Sequence, residues 1–319
     1  MQKFIKSLFF ILVGLVVVCV LVNIICIRGV KNMGYIGEET SIQRSNYIIN
    51  KLEADVLIVG ASKSLYDYVA QNIIDSINDY CKTNYSIYNM GENGRVVNIG
   101  VYRAEAVMKR KLPKLIILDT EEFEFSLQDM DKNVFHISIF SDNDIVQRCI
   151  NSLPLKDRIL LSKYSIYKYN NRFLGLAKSS LKSPKEKIIP QNVQGRLDTQ
   201  LSKENLEMNA QRKNQTNSAN DTIIGQTARS FERFLQMCKD KKVQLLVVTS
   251  PRYHTIQKNI YVEKTCQKYD IPYLNMQDVD YLNKHHEYWK DASHLNYKGA
   301  EVYTKMFIKE LKPYLSKIK

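Results

Sequence analysis

Two short segments, far apart in the chain, carry the residue types from which a serine nucleophile is built. The first is Gly60-Ala61-Ser62-Lys63-Ser64, where small residues permit a tight turn that lifts a hydroxyl clear of side-chain cover. A serine is a poor nucleophile until a base takes its proton, and imidazole titrates in the right range. The second segment supplies that base. It reads KDASHLNYKGAEVY (Lys290–Tyr303) and places Asp291 three residues before His294. In a turn or a first helical turn, that spacing lets the carboxylate accept from one ring nitrogen and leaves the other facing the serine. A further segment, NMGENG (Asn89–Gly94), has two glycines that let backbone N–H groups approach a ligand closely. If Ser62 opens a helix, its own N–H also faces a developing oxyanion.

Each piece has a plainer reading. Ser62 can simply cap a helix, and Asp291 can be a cap beside an incidental surface histidine. A metal pair is a third alternative, because His285 and His286 lie close by, but no further spaced ligand set accompanies them.

These segments need a frame that brings them to one rim. DVLIVG (Asp55–Gly60), YSIYNMG (Tyr85–Gly91), LIILD (Leu115–Asp119), VQLLVVTS (Val243–Ser250) and PYLNM (Pro272–Met276) read as short buried strands. Helix-like stretches alternate with them: Tyr66–Tyr80, Val96–Lys111, Gly225–Lys241, Ile256–Tyr269, and a last one from Asn296 to Leu311 that Pro313 should stop. Such alternation predicts a parallel sheet covered on both faces, with ligands beyond the carboxyl ends of its strands. From about 141 to 221 the pattern lapses into a Lys-, Asn-, Gln- and Ser-rich insertion broken by Pro154, Pro184 and Pro190. A helix over Asp157–Lys168 is expected there, and the polar stretch from Asn209 to Asn220 predicts a mobile loop.

The N-terminus is of another kind. Leu8–Ile27 is a run of twenty residues in which Asn23 is the strongly polar exception. About 20 helical residues cross the roughly 30 Å hydrocarbon core of a bilayer. No A-x-A-like cleavage site follows the run, and Ile24 and Ile25 stand before Cys26 where a lipoprotein signal would have small residues. The reading is an uncleaved anchor (residues 1–28), a stem (29–53) and an α/β domain (54–319). Lys3 and Lys6 before the run are nearly balanced by Arg28 and Lys31 after it, and the terminal amine tips the expected orientation to N-terminus inside, with the domain facing the exterior or periplasm.

The net charge of +13 and pI near 9.3 suit anionic lipid, acidic glycan or nucleic acid. No zinc-finger spacing, RNP-like run or dense basic helix accompanies that charge, so nucleic acid is not expected. The six cysteines show neither a CxxC pair nor metal-ligand spacing, and no cofactor is implied. Nothing sets an oligomeric state.

Three segments in this order resemble the blocks of the SGNH/GDSL hydrolase superfamily. GAS is similar to its GDS block, NMGENG to N-x-G-x-x-G, and DASHLNYKGA to D-x-x-H-x-N-x-x-G. The resemblance implies a flavodoxin-like three-layer α/β/α fold and a serine-ester mechanism. Within it, Ser62 is the nucleophile, Ser62 and Gly94 give oxyanion N–H donors, Asp291 orients and His294 is the base. One departure stands out. The family's third block supplies an asparagine donor to the oxyanion, and here Glu121 occupies that place, a carboxylate that cannot donate when ionised. Asn93 and Arg252 are the candidate replacements and substrate-binding residues. The expected activity is an extracytoplasmic esterase or O-acyltransferase acting on an acylated cell-envelope glycan. The alternative is a catalytically silent module binding glycan or a partner, and the basic insertion could form a lid or dock on anionic headgroups.

Overall fold

The computed structural model describes residues 2–32, 41–94, 97–125, 137–153, 155–163, 169, 173–182, 202–217, 225–254, 259–316 and 318. In chain order its helices are α1 (Gln2–Asn32), α2 (Ser41–Asn50), α3 (Ser62–Asp67), α4 (Ala70–Cys81), α5 (Val97–Arg110), α6 (Asp144–Asn151) and α7 (Leu155–Lys163). They continue with α8 (Phe173–Ser180), α9 (Lys203–Asn217), α10 (Gly225–Asp240), α11 (Ile260–Tyr269), α12 (Asp280–Lys284) and α13 (Tyr297–Leu315). Residues 1–49 and 131–189 form one compact unit, and 50–130 and 190–319 form another.

The second unit is built on a parallel sheet of five strands: β1 (Val56–Val59), β2 (Ile87–Asn89), β3 (Leu115–Asp119), β4 (Gln244–Thr249) and β5 (Tyr273–Asn275). Their spatial order is β2-β1-β3-β4-β5. Val56 lies opposite Ile87 on one side and Leu115 on the other, and Val247 opposite Tyr273. Apolar residues run without interruption through β1 because both faces are covered. Val56, Ile58, Ile117, Leu246 and Val248 bury against Ile73 and Ile77 of α4 and Tyr303, Phe307 and Leu311 of α13. The alternate residues face α5 and α10 on the other side.

A two-stranded antiparallel hairpin, β6 (Trp289–Asp291) and β7 (His294–Leu295), precedes α13. Asp291 and His294 therefore sit in a β-turn, and the last helix begins only at Tyr297. Asn296 caps it, accepting from the Lys298 and Gly299 N–H groups at 3.1 Å each.

Several expected boundaries move. The helix predicted over Tyr66–Tyr80 is two helices with an extended break at Tyr68 and Val69. The break exists because Val69 N–H donates to Thr304 Oγ1 of α13 at 2.9 Å in place of a helical carbonyl. The loop expected at Asn209–Asn220 is helical to Asn217: Leu206 and Ala210, one turn apart, bury against the core and hold an otherwise polar α9 in place. α13 runs through Pro313 to Leu315, since a proline near a C-terminus removes one bond whose carbonyl faces water. The helix expected over Asp157–Lys168 is α7, ending at Lys163, and residues 164–168 lie outside the described residues, as do Pro154, Pro184 and Pro190. Ile256 to Lys258 are likewise outside them, and α11 begins at Ile260.

In the other unit, α1 is the one helix among the described residues long and apolar enough to cross a membrane, with mean hydropathy 3.2 over its most apolar window.

Candidate active site

The first group is delivered by β1. The chain leaves this strand at Gly60, where any side chain would collide: a Cβ would lie 2.0 Å from Ser64 Oγ and 2.6 Å from the Asp119 carbonyl oxygen. That close approach folds the backbone over the end of the sheet and starts α3 with Ser62. No side chain caps α3. Instead, Ser62 Oγ lies 2.7 Å from His294 Nε2, across a sequence separation of 232 residues.

The imidazole is set by its own turn. Asp291 Oδ1 accepts from Ser293 N–H at 2.7 Å and His294 N–H at 3.1 Å, closing the hairpin around the carboxylate. His294 Nδ1 is 2.9 Å from Asp291 Oδ2 and 3.0 Å from Oδ1. With the Nδ1 proton directed at the carboxylate, Nε2 is left to accept from the Ser62 hydroxyl. Tyr66 stands edge-on to the ring at 5.9 Å. Asp67, the last residue of α3, accepts from Leu295 N–H at 3.0 Å. The helix that begins with Ser62 thus ends by pinning the strand that carries His294.

Directly behind Ser62 lies a buried ionic cluster. Glu121 follows β3 and is 2% exposed, with Lys63 and Arg252 nearly as deep. Arg252 grips both carboxylate oxygens, with Nε donating to Oε1 at 2.7 Å and Nη2 donating to Oε2. Lys63 Nζ donates to Oε1 of the same carboxylate and to the Ser250 carbonyl oxygen at 2.6 Å. Arg252 Nη1 then donates to Ser293 Oγ at 3.0 Å. One carboxylate therefore ties the neighbour of Ser62 to the neighbour of His294. Burial alone would raise the Glu121 pKa, but the Arg252 and Lys63 charges outweigh it and hold the group at about 2.

Asp119, at the end of β3, behaves in the opposite way. Burial raises it to about 6, despite the Lys63 charge and the Ser250 Oγ–H that it accepts at 2.7 Å. A raised carboxylate stabilises the fold while protonated and loses that contribution as pH climbs from 3.8 to about 6. Asp119→Asn should therefore lack this loss. Chemical denaturation across that window should show the variant gaining about 3 kcal/mol on the parent, and parallel curves for the two proteins would refute it. Glu124 and Asp67 are also driven well above the ordinary range, chiefly by burial.

The structure brings Ser62, Asp291 and His294 together. Gly94 lies at the exposed end of the NMGENG turn with φ at +64°. That turn is moored by Asn89, whose Nδ2 donates to the Ser64 carbonyl oxygen at 2.7 Å. Asn93 is exposed and donates to the Tyr66 hydroxyl at 2.7 Å. Arg252 is buried in the cluster just described. His285 and His286 both approach the Glu287 carboxylate that follows them, with Nδ1 atoms 2.7 and 3.6 Å from its oxygens. Sequence reasoning missed Lys63, Ser293, Asp67 and the pairing of Glu121. A signal for Lys63 and Glu121 existed: both lie within four residues after a strand end, where the parallel sheet places its site.

No family model and no curated protein matches this chain. Among solved structures, the chain is similar to a Bacteroides fragilis protein provisionally described as an acylhydrolase. The two share 10% identity at a TM-score of 0.36, over 87% of this chain and 100% of that one. A likeness that slight carries no argument, and the reading of function rests on the site itself.

Proposed function

We propose that this protein is an SGNH-type serine esterase or O-acyltransferase, held at a membrane by α1, acting outside the cytoplasm on an acylated envelope glycan. The observation that carries the chemistry is the chain of contacts from Ser62 Oγ to His294 Nε2 at 2.7 Å and from His294 Nδ1 to Asp291 at 2.9 Å. The strand order 2-1-3-4-5 supports a flavodoxin-like three-layer fold, whose site lies beyond the carboxyl ends of the strands. Ser62 and the turn after β2 occupy that rim.

In the proposed reaction Ser62 Oγ bonds to the acyl carbon as its proton passes to His294 Nε2. The alkoxide of the sugar leaves as its C–O bond breaks and takes that proton. Water, or another sugar hydroxyl, then attacks the acyl-Ser62 ester, giving its proton to His294, which returns it to Ser62. Asp291 stabilises the imidazolium in both steps. The N–H groups of Ser62 and Gly94 are the proposed oxyanion donors. The anchor supports the location, and the glycan follows from the location together with the net charge of +13.

Incubating the protein with acetylated envelope glycans and digesting it should yield a Ser62 peptide heavier by one acyl group. Its absence with every glycan, together with inertness towards simple esters, would favour a binding module, the reading that Glu121 in place of an asparagine donor supports.

A further inference from the structure

The end of α1 is packed into the folded unit around it. Its covered face steps through Val22, Asn23, Cys26 and Gly29, at helical spacing, and Cys26 and Gly29 are buried. The partner is α8. At Gly29 the two backbones meet so closely that a Cβ would fall 2.2 Å from the Leu176 carbonyl oxygen. One turn further on, Asn32 Nδ2 donates to the Lys182 carbonyl oxygen at 2.8 Å and the Ser180 carbonyl oxygen at 3.3 Å. From Gly29 to Asn32 and from Leu176 to Lys182 both chains advance together, so the helices run parallel. At a rise of about 1.5 Å per residue, the start of α8 stands level with the last residues of the apolar run Leu8–Ile27.

α8 has two faces. Leu176 and Ser180, one turn apart, bury against α1. On the opposite side Leu174 is 82% exposed, and Leu181, in the turn just past the helix, is 88% exposed. Beside them Phe173 is partly bare, and Lys178 and Lys182 are exposed. Bare leucines next to a span, with lysines among them, match the chemistry of the boundary between acyl chains and anionic headgroups.

We infer that the start of α8 is an interfacial membrane element, inserting Phe173 and Leu174 into the bilayer surface where α1 emerges, with Leu181 about 10 Å further out along the parallel helices. This rests on α1 being a retained anchor. The lysines reach back to headgroup phosphates, and the Gly29 contact makes the end of the anchor part of the folded unit.

The chain has one tryptophan, Trp289, which is fully buried in the other unit. Tryptophans introduced singly into the full chain can therefore be read above that constant signal. The probes are Leu174→Trp, Leu181→Trp, Leu15→Trp within the span, and Leu112→Trp, an exposed apolar site in the other unit. Each variant is reconstituted in phosphatidylcholine–phosphatidylglycerol vesicles whose lipids are brominated either near the headgroup or near the chain end. Tryptophan at 174 should be quenched several-fold more than at 112, more than at 181, and more by shallow bromines than by deep ones. Tryptophan at 15 should favour the deep bromines. Quenching at 15 with none at 174 overturns the inference and leaves the anchor standing. No quenching at 15 removes the anchor reading, and this proposal with it.

Discussion

Ser62→Ala should abolish labelling by an active-site-directed fluorophosphonate and lower ester turnover by roughly 10⁴–10⁶-fold, as loss of an activated serine does elsewhere. That range corresponds to about 5–8 kcal/mol of transition-state stabilisation. The size follows from the division of labour. Without Oγ there is no covalent intermediate, and His294 and Asp291 have nothing to activate except water. His294→Ala should cost about as much. The double variant should be no worse than either single one, because the pair acts as a unit. Asp291→Asn should cost somewhat less, since His294 keeps its place in the hairpin while losing its preferred tautomer. The readouts are gel labelling of the full chain in detergent and the rate of hydrolysis of a chromogenic acetate. Labelling that survives in Ser62→Ala would remove Ser62 from the mechanism.

The second large effect is expected at Glu121. Replacing it with Gln or Asn leaves Lys63 and Arg252 buried without their shared carboxylate. Breaking a buried pair in this way costs about 3–5 kcal/mol, because the remaining charges stay desolvated. For a domain of this size that is a fall in Tm of roughly 6–15 °C. Turnover should fall as well, since Arg252 is oriented by Glu121 and in turn holds Ser293, whose N–H closes the Asp291 turn.

Glu121→Asn is the more telling variant, because it installs the residue that the SGNH pattern would place there. If the carboxylate were a spoiled oxyanion donor, the asparagine would raise activity. With Glu121 as the tie between two cations, it lowers both activity and stability. The pH dependence adds an independent check. Glu121 is held at about 2 against an ordinary 4.5, so its contribution is full above 4.5 and is lost as pH falls towards 2. The acid limb of the stability curve should flatten in Glu121→Gln. An unchanged limb would mean that the pairing is weak in solution.

The local part of this site was legible in the sequence. Small residues ahead of Ser62, an Asp three positions before a His, and an Asn that caps the last helix are all short-range signals, set by turn geometry and capping. The strands were legible for the same kind of reason, since a strand buried on both faces is a continuous apolar run. The long apolar N-terminal helix was legible because about twenty apolar residues in a row are the length that could cross a bilayer. Even here, boundaries that depend on partners moved: α3 and α4 are separate because Thr304 takes the Val69 N–H, and α9 extends to Asn217 where composition suggested a loop.

What tertiary structure alone decided is which distant groups share a charge or a face. Glu121 and Arg252 are 131 residues apart, and Lys63 and Glu121 are 58 apart. No spacing rule links such positions, so a carboxylate that looks hostile to an oxyanion in the sequence becomes the buried tie between two cations in the fold. The same holds for Gly29, an unremarked glycine at the end of an apolar run until the Leu176 backbone is found against it. Sequence patterns record what a residue needs from its immediate neighbours. Burial, and with it the strength of every charge in this site, is set by what the chain brings back from far away.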